Sequence, residues 1–300
     1  MFTALFFDSV IAMVVGAVPT YFAVTVVRKR RKKGSGPGVI GAALALIWVV
    51  VVYGSFVEPR MLTVGRTDVN IGGTQHALKV ALISDIHLGE YRHRDWLETV
   101  VARINALKPD VVLVDGDIVS NAAGYEEFQP FMKLQSRFGT YAVLGNWDYR
   151  AGAVDVRKHL GSYGVKLLVN KSVPLDIDGR TVSLIGLDDQ MYGQPDVDLA
   201  MKDVPPGAKK LLLAHEPDIA PLAEMRGIDL VLSGHTHGGQ IRLPLVGAVA
   251  HLPIKIGQQF DMGLFPFGQT QLFITPGIGE SGPRARLFDP PQISFVTITF

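Results

Sequence analysis

Three hundred residues, 48% of them hydrophobic, suffice for one domain with a sizeable core and leave length over for further segments. The formal net charge is only +1, yet six of the 29 Lys and Arg residues lie together in Arg28 to Lys33; the other 23 face 28 acids, a balance of −5 that argues against general nucleic-acid binding. The absence of cysteine excludes disulfides, thiolate zinc sites and a cysteine nucleophile, so histidine and carboxylate must carry any chemistry.

From Phe2 to Val27 the chain is apolar apart from Asp8 near its start and Pro19 inside it, and a second uncharged stretch runs from Val39 to Val57. About 20 such residues cross a bilayer as a helix, and neither stretch has the polar face of a surface helix. Residues 1–60 are therefore expected to form a transmembrane helical hairpin, ahead of a globular domain over 61–300. A secretory signal would carry its basic residues before the apolar run, and here they follow it. They fall in the connection 28–37, whereas the stretch after the second helix offers only Arg60 and Arg66 nearby. Basic loops stay in the cytoplasm, so the expected protein is a two-helix membrane protein with its globular domain on the extracytoplasmic side. Asp8 would then lie near the outer interface, where its charge is tolerable.

Beyond Ala77, short β-branched apolar runs alternate with amphipathic stretches, the pattern of a layered α/β protein. Strands are predicted over Lys79 to Ile83, Asp110 to Val114, Thr140 to Leu144, Val182 to Ile185, Lys210 to Ala214, Leu230 to Leu232, Gln271 to Ile274 and Ile293 to Phe300. Trp96, Leu97, Val100, Val101 and Ile104 have helical spacing and predict a helix over Arg94 to Leu107; a second is predicted over Ile219 to Met225. The Gly- and Pro-rich stretch from Arg242 to Thr270 is too long for a bare connection and is expected to border a site.

The residues that carry chemistry fall just past predicted strand ends: Asp85-Ile86-His87, Gly116-Asp117, Gly145-Asn146, His215 and Gly234-His235-Thr236-His237. In open α/β sheets that edge is where sites form. Asp-x-His and His-x-His each bring two donors to one turn, and imidazole with carboxylate is the ligand set of Zn, Mn and Fe in hydrolytic centres. A lone His or Asp at a strand end is more often a cap; five such motifs in order are not a chance collection.

These blocks resemble those of the calcineurin-like metallophosphoesterases, and the resemblance covers roughly Lys79 to Phe300. Ile83-Ser84-Asp85-Ile86-His87-Leu88-Gly89, the block Gly234-His235-Thr236-His237-Gly238-Gly239-Gln240 and the ending from Gly277-Ile278-Gly279 to Pro290-Pro291 have the form of the bacterial membrane-associated phosphodiesterase branch. The resemblance implies a four-layer αββα sandwich with a two-metal centre of Mn, Zn or Fe at the strand ends. It implies that Asp85, His87 and His237 hold one metal, that Asn146, His215 and His235 hold the other, and that Asp117 bridges them. Asp117, Asn146 and His235 would thereby serve catalysis, with a metal-activated hydroxide as nucleophile.

The chain departs from the pattern at one point. The family's Gly-Asn-His-Asp supplies a histidine that protonates the leaving oxygen, but here the block reads Gly145-Asn146-Trp147-Asp148. An indole is no acid, so good leaving groups such as pyrophosphates or phenols should suffer least. Without its usual partner, Asp148 is expected to accept the Trp147 indole N–H. His93, Arg94 and His251 are further phosphate-contact candidates, each more simply read as a surface residue. The anchor favours a phosphate or pyrophosphate ester in a membrane lipid or lipid-linked substrate. The alternatives are a general envelope phosphodiesterase or nucleotidase, and a non-catalytic metal-binding protein. No protein partner is inferred.

Overall fold

The computed structural model describes residues 2–31 and 38–300. Of the basic loop predicted over 28–37, residues 32–37 lie outside the described residues. Helix α1 (Phe2–Arg30) and helix α2 (Gly38–Val52) form an antiparallel pair, and α2 runs on through a π turn (Tyr53–Val57) and a 3-10 turn (Glu58–Arg60). Apolar spans of 26 residues (Leu5–Arg30) and 23 residues (Gly38–Arg60) exceed what a hydrocarbon core requires at about 1.5 Å per residue. Several of their polar side chains are satisfied by the backbone of the pair itself, the arrangement that a lipid environment would require. Ser9 Oγ donates to the Leu5 carbonyl (2.7 Å), Thr20 Oγ1 to that of Gly16 (2.8 Å) and Trp48 Nε1 across the pair to Val15 (3.2 Å).

The remaining elements in chain order are β1 (Thr63–Asn70), β2 (Ala77–Ser84), α3 (Arg94–Leu107), β3 (Val111–Asp115), β4 (Thr140–Val143), α4 (Asn146–Ser162), β5 (Lys166–Leu167), β6 (Lys171–Ile177), β7 (Arg180–Gly186), α5 (Val197–Met201), β8 (Lys209–Leu213), α6 (Ala220–Met225), β9 (Leu230–Ser233), β10 (Arg242–Leu243), β11 (Gly247–Ala248), β12 (Gly263–Phe267), β13 (Thr270–Ile274) and β14 (Gln292–Thr299). One six-stranded sheet has the order β1-β14-β2-β3-β4-β5 and the other β12-β13-β9-β8-β7-β6. In the first, β2 to β5 run parallel; in the second, β13, β9, β8 and β7 do.

The middle stretches of the central strands, Val80 to Ile83, Val111 to Val114, Leu211 to Leu213 and Leu230 to Leu232, are wholly apolar because both faces are covered. Strict alternation divides them: Val80, Leu82, Leu113, Leu211, Leu213 and Leu232 fill the space between the sheets. Ala81, Ile83, Val112 and Val114 face α3 and α4, while Leu212 and Val231 face α5 and α6. The result is the expected four-layer αββα sandwich. Helix α3 begins and ends where the sequence spacing places it.

Several elements escaped the sequence pattern for identifiable reasons. Edge strands β6 and β12 contain Pro174 and Pro266, which weaken a strand signal but are tolerated at an edge. Helix α4 carries Gly152 at φ 121° and Gly161, and has no long apolar stripe. The stretch 242–270 is not bare loop, since it contains the two-residue strands β10 and β11 and the start of the β12–β13 hairpin.

The helical pair packs on the sandwich by buried polar contacts. The Arg286 N–H donates to the Gly54 carbonyl (2.8 Å) and the Asp289 N–H to Glu58 Oε1 (2.6 Å), while Arg92 donates to the Pro59 carbonyl. Tyr91 donates to Asp8 (3.3 Å), so the acid inside α1 lies against the domain and Arg28 to Arg30 lie at the other end of that helix. Leu82, fully buried between the sheets, offers a test of this core. Leu82→Ala should cost about 2–5 kcal/mol, read as a lowered thermal midpoint in detergent; an unchanged midpoint would contradict the inter-sheet packing.

Candidate metal centre

Strand register decides where the motifs arrive. Ser84 pairs with Asp115 and Asp115 with Val143, so β2, β3 and β4 end level and deliver Asp85, Asp117 and Asn146 to one edge. In the second sheet Leu213 pairs with Leu232, which places His215 and His235 on the corresponding edge. The loops stay hydrogen-bonded past the strands: the N–H groups of Asp85 and His87 donate to the carbonyls of Gly116 (3.1 Å) and Asp117 (3.0 Å), and that of Gly234 to His215 (3.1 Å).

Asp85, His87, Asp117, His235 and His237 all adopt left-handed backbone, with φ between 47° and 67°. Each such residue costs about 1–2 kcal/mol relative to the right-handed region, a strain that clusters at functional sites. The curl turns both side chains of Asp-x-His toward one group of ligands and divides those of His-x-His between the two. Two glycines make room for it: a Cβ on Gly145 would lie 2.4 Å from Asp117 Oδ1, and one on Gly116 would lie 2.6 Å from His215 Nδ1.

The ligating atoms of Asp85, His87, Asp117 and His237 lie within 4.8 Å of one another, as do those of Asp117, His215 and His235. Asp117 belongs to both groups. His87 Nε2 is 3.1 Å from His237 Nε2, His237 Nε2 is 3.2 Å from Asp85 Oδ1, and His215 Nε2 is 3.3 Å from Asp117 Oδ2. His215 Nδ1 donates to the Asp115 carbonyl (2.8 Å), which fixes the tautomer and leaves Nε2 to the centre. Asn146 borders the same cavity as Asp117 and His235. Its Oδ1, like Asp85 Oδ1, is buried without a hydrogen-bond partner among the described residues. The structure thus brings all seven predicted residues to one place.

Asp148 does not accept the indole N–H. Its carboxylate accepts the backbone N–H groups of Ile118 (2.9 Å), Val119 (3.1 Å) and Gly145 (3.0 Å), clamping the Asp117 loop to the start of α4. Its oxygens turn to the backbone donors of a buried turn, while the indole turns to His87 and the cavity. The indole lies edge-on to His87, with ring centres 5.7 Å apart, and lines the cavity. His93 and Arg94 pair with Glu127 instead of facing the centre, whereas His251 is in the cavity wall. Sequence reasoning missed Arg150, whose guanidinium sits 5.0 Å over the Trp147 ring and lines the same cavity. Its spacing of four from Asn146 puts both on one helix face, a signal hidden because α4 itself was not recognised.

The calcineurin-like phosphoesterase family matches residues 78–239 of this chain. The chain belongs to that family. It is 31% identical over 255 residues to an uncharacterized metallophosphoesterase of Bacillus subtilis (82% of this chain, 88% of that protein). It is 33% identical over 267 residues to an uncharacterized metallophosphoesterase of Campylobacter jejuni (85% of this chain, 68% of that protein). A transmembrane protein with metallophosphoesterase domain from Danio rerio is 30% identical over 275 residues (85% of this chain, 62% of that protein). The chain is therefore a metal-dependent phosphoesterase, and it carries two helices long and apolar enough to cross a membrane.

The charge states of the phosphoesterase cluster suit a cation. Burial pushes His87 and His235 down to about 4 and His237 well below its ordinary value, so these imidazoles are neutral, the form that ligates. Burial also raises Asp85, to about 6. It opposes ionisation of Asp117, but His215 beside it outweighs burial and holds that carboxyl well below the usual range. Burial disfavours the His215 imidazolium too, yet Asp117 and Asp85 together raise it well above its ordinary value. The donor set fits divalent ions, whose charge would replace the His215 proton.

Metal binding and pH should therefore be linked with a definite sign. Below about pH 6 Asp85 is protonated in the metal-free protein, and His215 carries a proton at neutrality, so apparent metal affinity should rise with pH from 5 to 8. Calorimetric titration of Mn²⁺ or Zn²⁺ in buffers of different ionisation enthalpy should show proton release; affinity independent of pH would contradict these charge states. Gly145→Ala should lower the bound-metal content while the far-ultraviolet circular dichroism stays unchanged, because its Cβ displaces Asp117 and not the core.

Proposed function

We propose that this phosphoesterase uses two divalent ions, one held by Asp85, His87 and His237 and the other by Asn146, His215 and His235, with Asp117 between them. Its substrate in this reading is a phosphate or pyrophosphate ester carried by a membrane lipid or lipid-linked molecule. Residues 1–60 act as the anchor and 61–300 as the catalytic domain.

One observation carries the substrate class. A cavity of about 770 Å³ runs from Asp117, Asn146 and His235 to Phe7, Val10, Val50 and Val51 on the two apolar helices. Between these ends its wall includes Ile241, Leu252 and Leu287. A nucleotide would need polar partners along such a path, whereas an acyl or prenyl chain needs none. The phosphate end of a lipid could reach the cluster while its tail stays among the helices.

When bound, the ions supply Lewis-acid polarisation of phosphoryl oxygens and acidification of water. The chain's own groups then orient and exclude. Asp117 is fixed by the Trp147 N–H (2.7 Å), the His215 tautomer by Asp115, and Arg150 offers a cation at the cavity wall beside Trp147. Hydrolysis forms a P–O bond to the oxygen of a water molecule and breaks the one to the leaving group, whose oxygen takes its proton from solvent because the Trp147 indole is no acid. Leaving groups of low basicity are thereby favoured.

Sidedness follows from charge. Arg28 to Arg30 end α1 away from the domain, and the positive-inside rule keeps that end cytoplasmic, which puts the catalytic domain outside. A reporter that works only after export, fused after Phe300, should be active; activity there of a reporter that works only in the cytoplasm would reverse the assignment.

Asp117→Ala should lose bound metal and all measurable turnover. Trp147→His should accelerate hydrolysis of alkyl phosphates on the order of 100-fold or more while changing p-nitrophenyl phosphate little. Wild-type protein in detergent should prefer a lipid pyrophosphate to soluble nucleotides; the reverse preference would make it a general envelope phosphodiesterase or nucleotidase. Metal bound with no turnover of any substrate would leave a binding protein.

A further inference from the structure

The short hairpin of β10 and β11 is unlike a soluble surface turn, which is normally built from polar and small residues. Leu243 is 46% exposed, Leu245 108%, Val246 72% and Val249 57%. Single exposed apolar side chains are ordinary, but four within seven residues form a continuous patch. Leu245 also holds left-handed backbone (φ 68°), a conformation that branched side chains rarely adopt.

The patch is held out from the domain by a polar base. Arg242 pairs with Asp261 Oδ2 (2.7 Å) and donates to the Gly238 carbonyl (2.6 Å), and its N–H donates to the Leu287 carbonyl (2.9 Å). Asp261 in turn accepts Thr236 Oγ1 at its carbonyl (2.6 Å), tying the hairpin to the His-x-His loop. The hairpin's flanks face the apolar helices: Ile241 and Val249 share a cavity wall with Phe7, Val10, Val50 and Val51. Val50 and Val51 lie inside the second apolar span, so the base of the hairpin borders the same cavity as that span.

We infer that this hairpin is a third membrane contact, inserting Leu243, Leu245 and Val246 into the leaflet on the domain's side, so that the cavity opens sideways into lipid between hairpin and helices. The inference rests on the reading that α1 and α2 span the bilayer. The occupant is lipid because the cavity that Ile241 and Val249 border at the hairpin's base is also lined by both apolar helices, and burying exposed apolar side chains such as Leu245 and Val246 at the acyl boundary is favourable in proportion to their apolar area.

The cysteine-free chain makes the test direct. Leu245→Cys, Val49→Cys and Asp178→Cys, each in the full chain, would carry an environment-sensitive fluorophore in nanodiscs containing spin-labelled lipid. Val49 lies on the exposed face of α2, and Asp178 lies in the β6–β7 turn, at the sheet end opposite the metal centre. The expected result is blue-shifted emission and quenching at 245 as at 49, with neither at 178. Emission at 245 matching 178 overturns the proposal while quenching at 49 keeps the anchor. A label at 245 shielded from both lipid and aqueous quenchers overturns it in favour of contact with a second copy. Absence of quenching at 49 removes the anchor itself, and the hairpin proposal with it. As a functional check, the pair Leu243→Ser and Leu245→Ser should lose turnover of a vesicle-borne pyrophosphate and keep that of p-nitrophenyl phosphate; equal retention of both counts against insertion.

Discussion

The Asp117 carboxylate lies where the ends of two sheets converge, and much of the molecule is organised to hold it there. One oxygen accepts the Trp147 N–H and the other lies 3.3 Å from His215 Nε2, from the opposite sheet. Around it, five non-glycine residues sit in left-handed backbone and two glycines leave space that a methyl group would fill. Such strain persists only if the surroundings over-determine it. The two level sheet edges and the Asp148 clamp on three backbone N–H groups provide that constraint.

The same convergence explains the charge arrangement. In a dry cluster a carboxylate must be paired, and His215 supplies the positive partner while three other imidazoles remain neutral. A cation entering there meets His215 and Asp117 already oriented by their hydrogen bonds to the Asp115 carbonyl and the Trp147 backbone N–H. Trp147 adds an aromatic wall where relatives of the usual motif carry an acid. The centre keeps the ligand set of the motif and lacks its acid.

The helical pair and the catalytic edge are one construction in space. Gly54, Glu58 and Pro59 at the exit of α2 are bonded to residues around Arg92 and Arg286 to Asp289, which belong to the loops surrounding the centre. The cavity therefore has a catalytic end and an apolar end. This juxtaposition is what distinguishes the reading of a lipid-borne substrate from that of an anchor serving merely for retention.

The sequence by itself determined the residue types and their order. Continuous apolar runs announced β2, β3, β8 and β9 because strands covered on both faces need no polar positions. Helical spacing placed α3 at its true limits, and Asp-x-His, Gly-Asp, Gly-Asn, His and His-x-His announced a metal cluster because five motifs of metal-ligand type follow one another at strand ends. Edge strands with proline and a glycine-kinked α4 left no clear periodic signal, and with α4 went Arg150. Only the tertiary structure decided what Asp148 bonds, how the loops curl to aim their ligands, and that Phe7 and Leu287 share a wall with Asp117. Those facts depend on strand register and on contacts between residues hundreds of positions apart, and no local pattern in a chain encodes either.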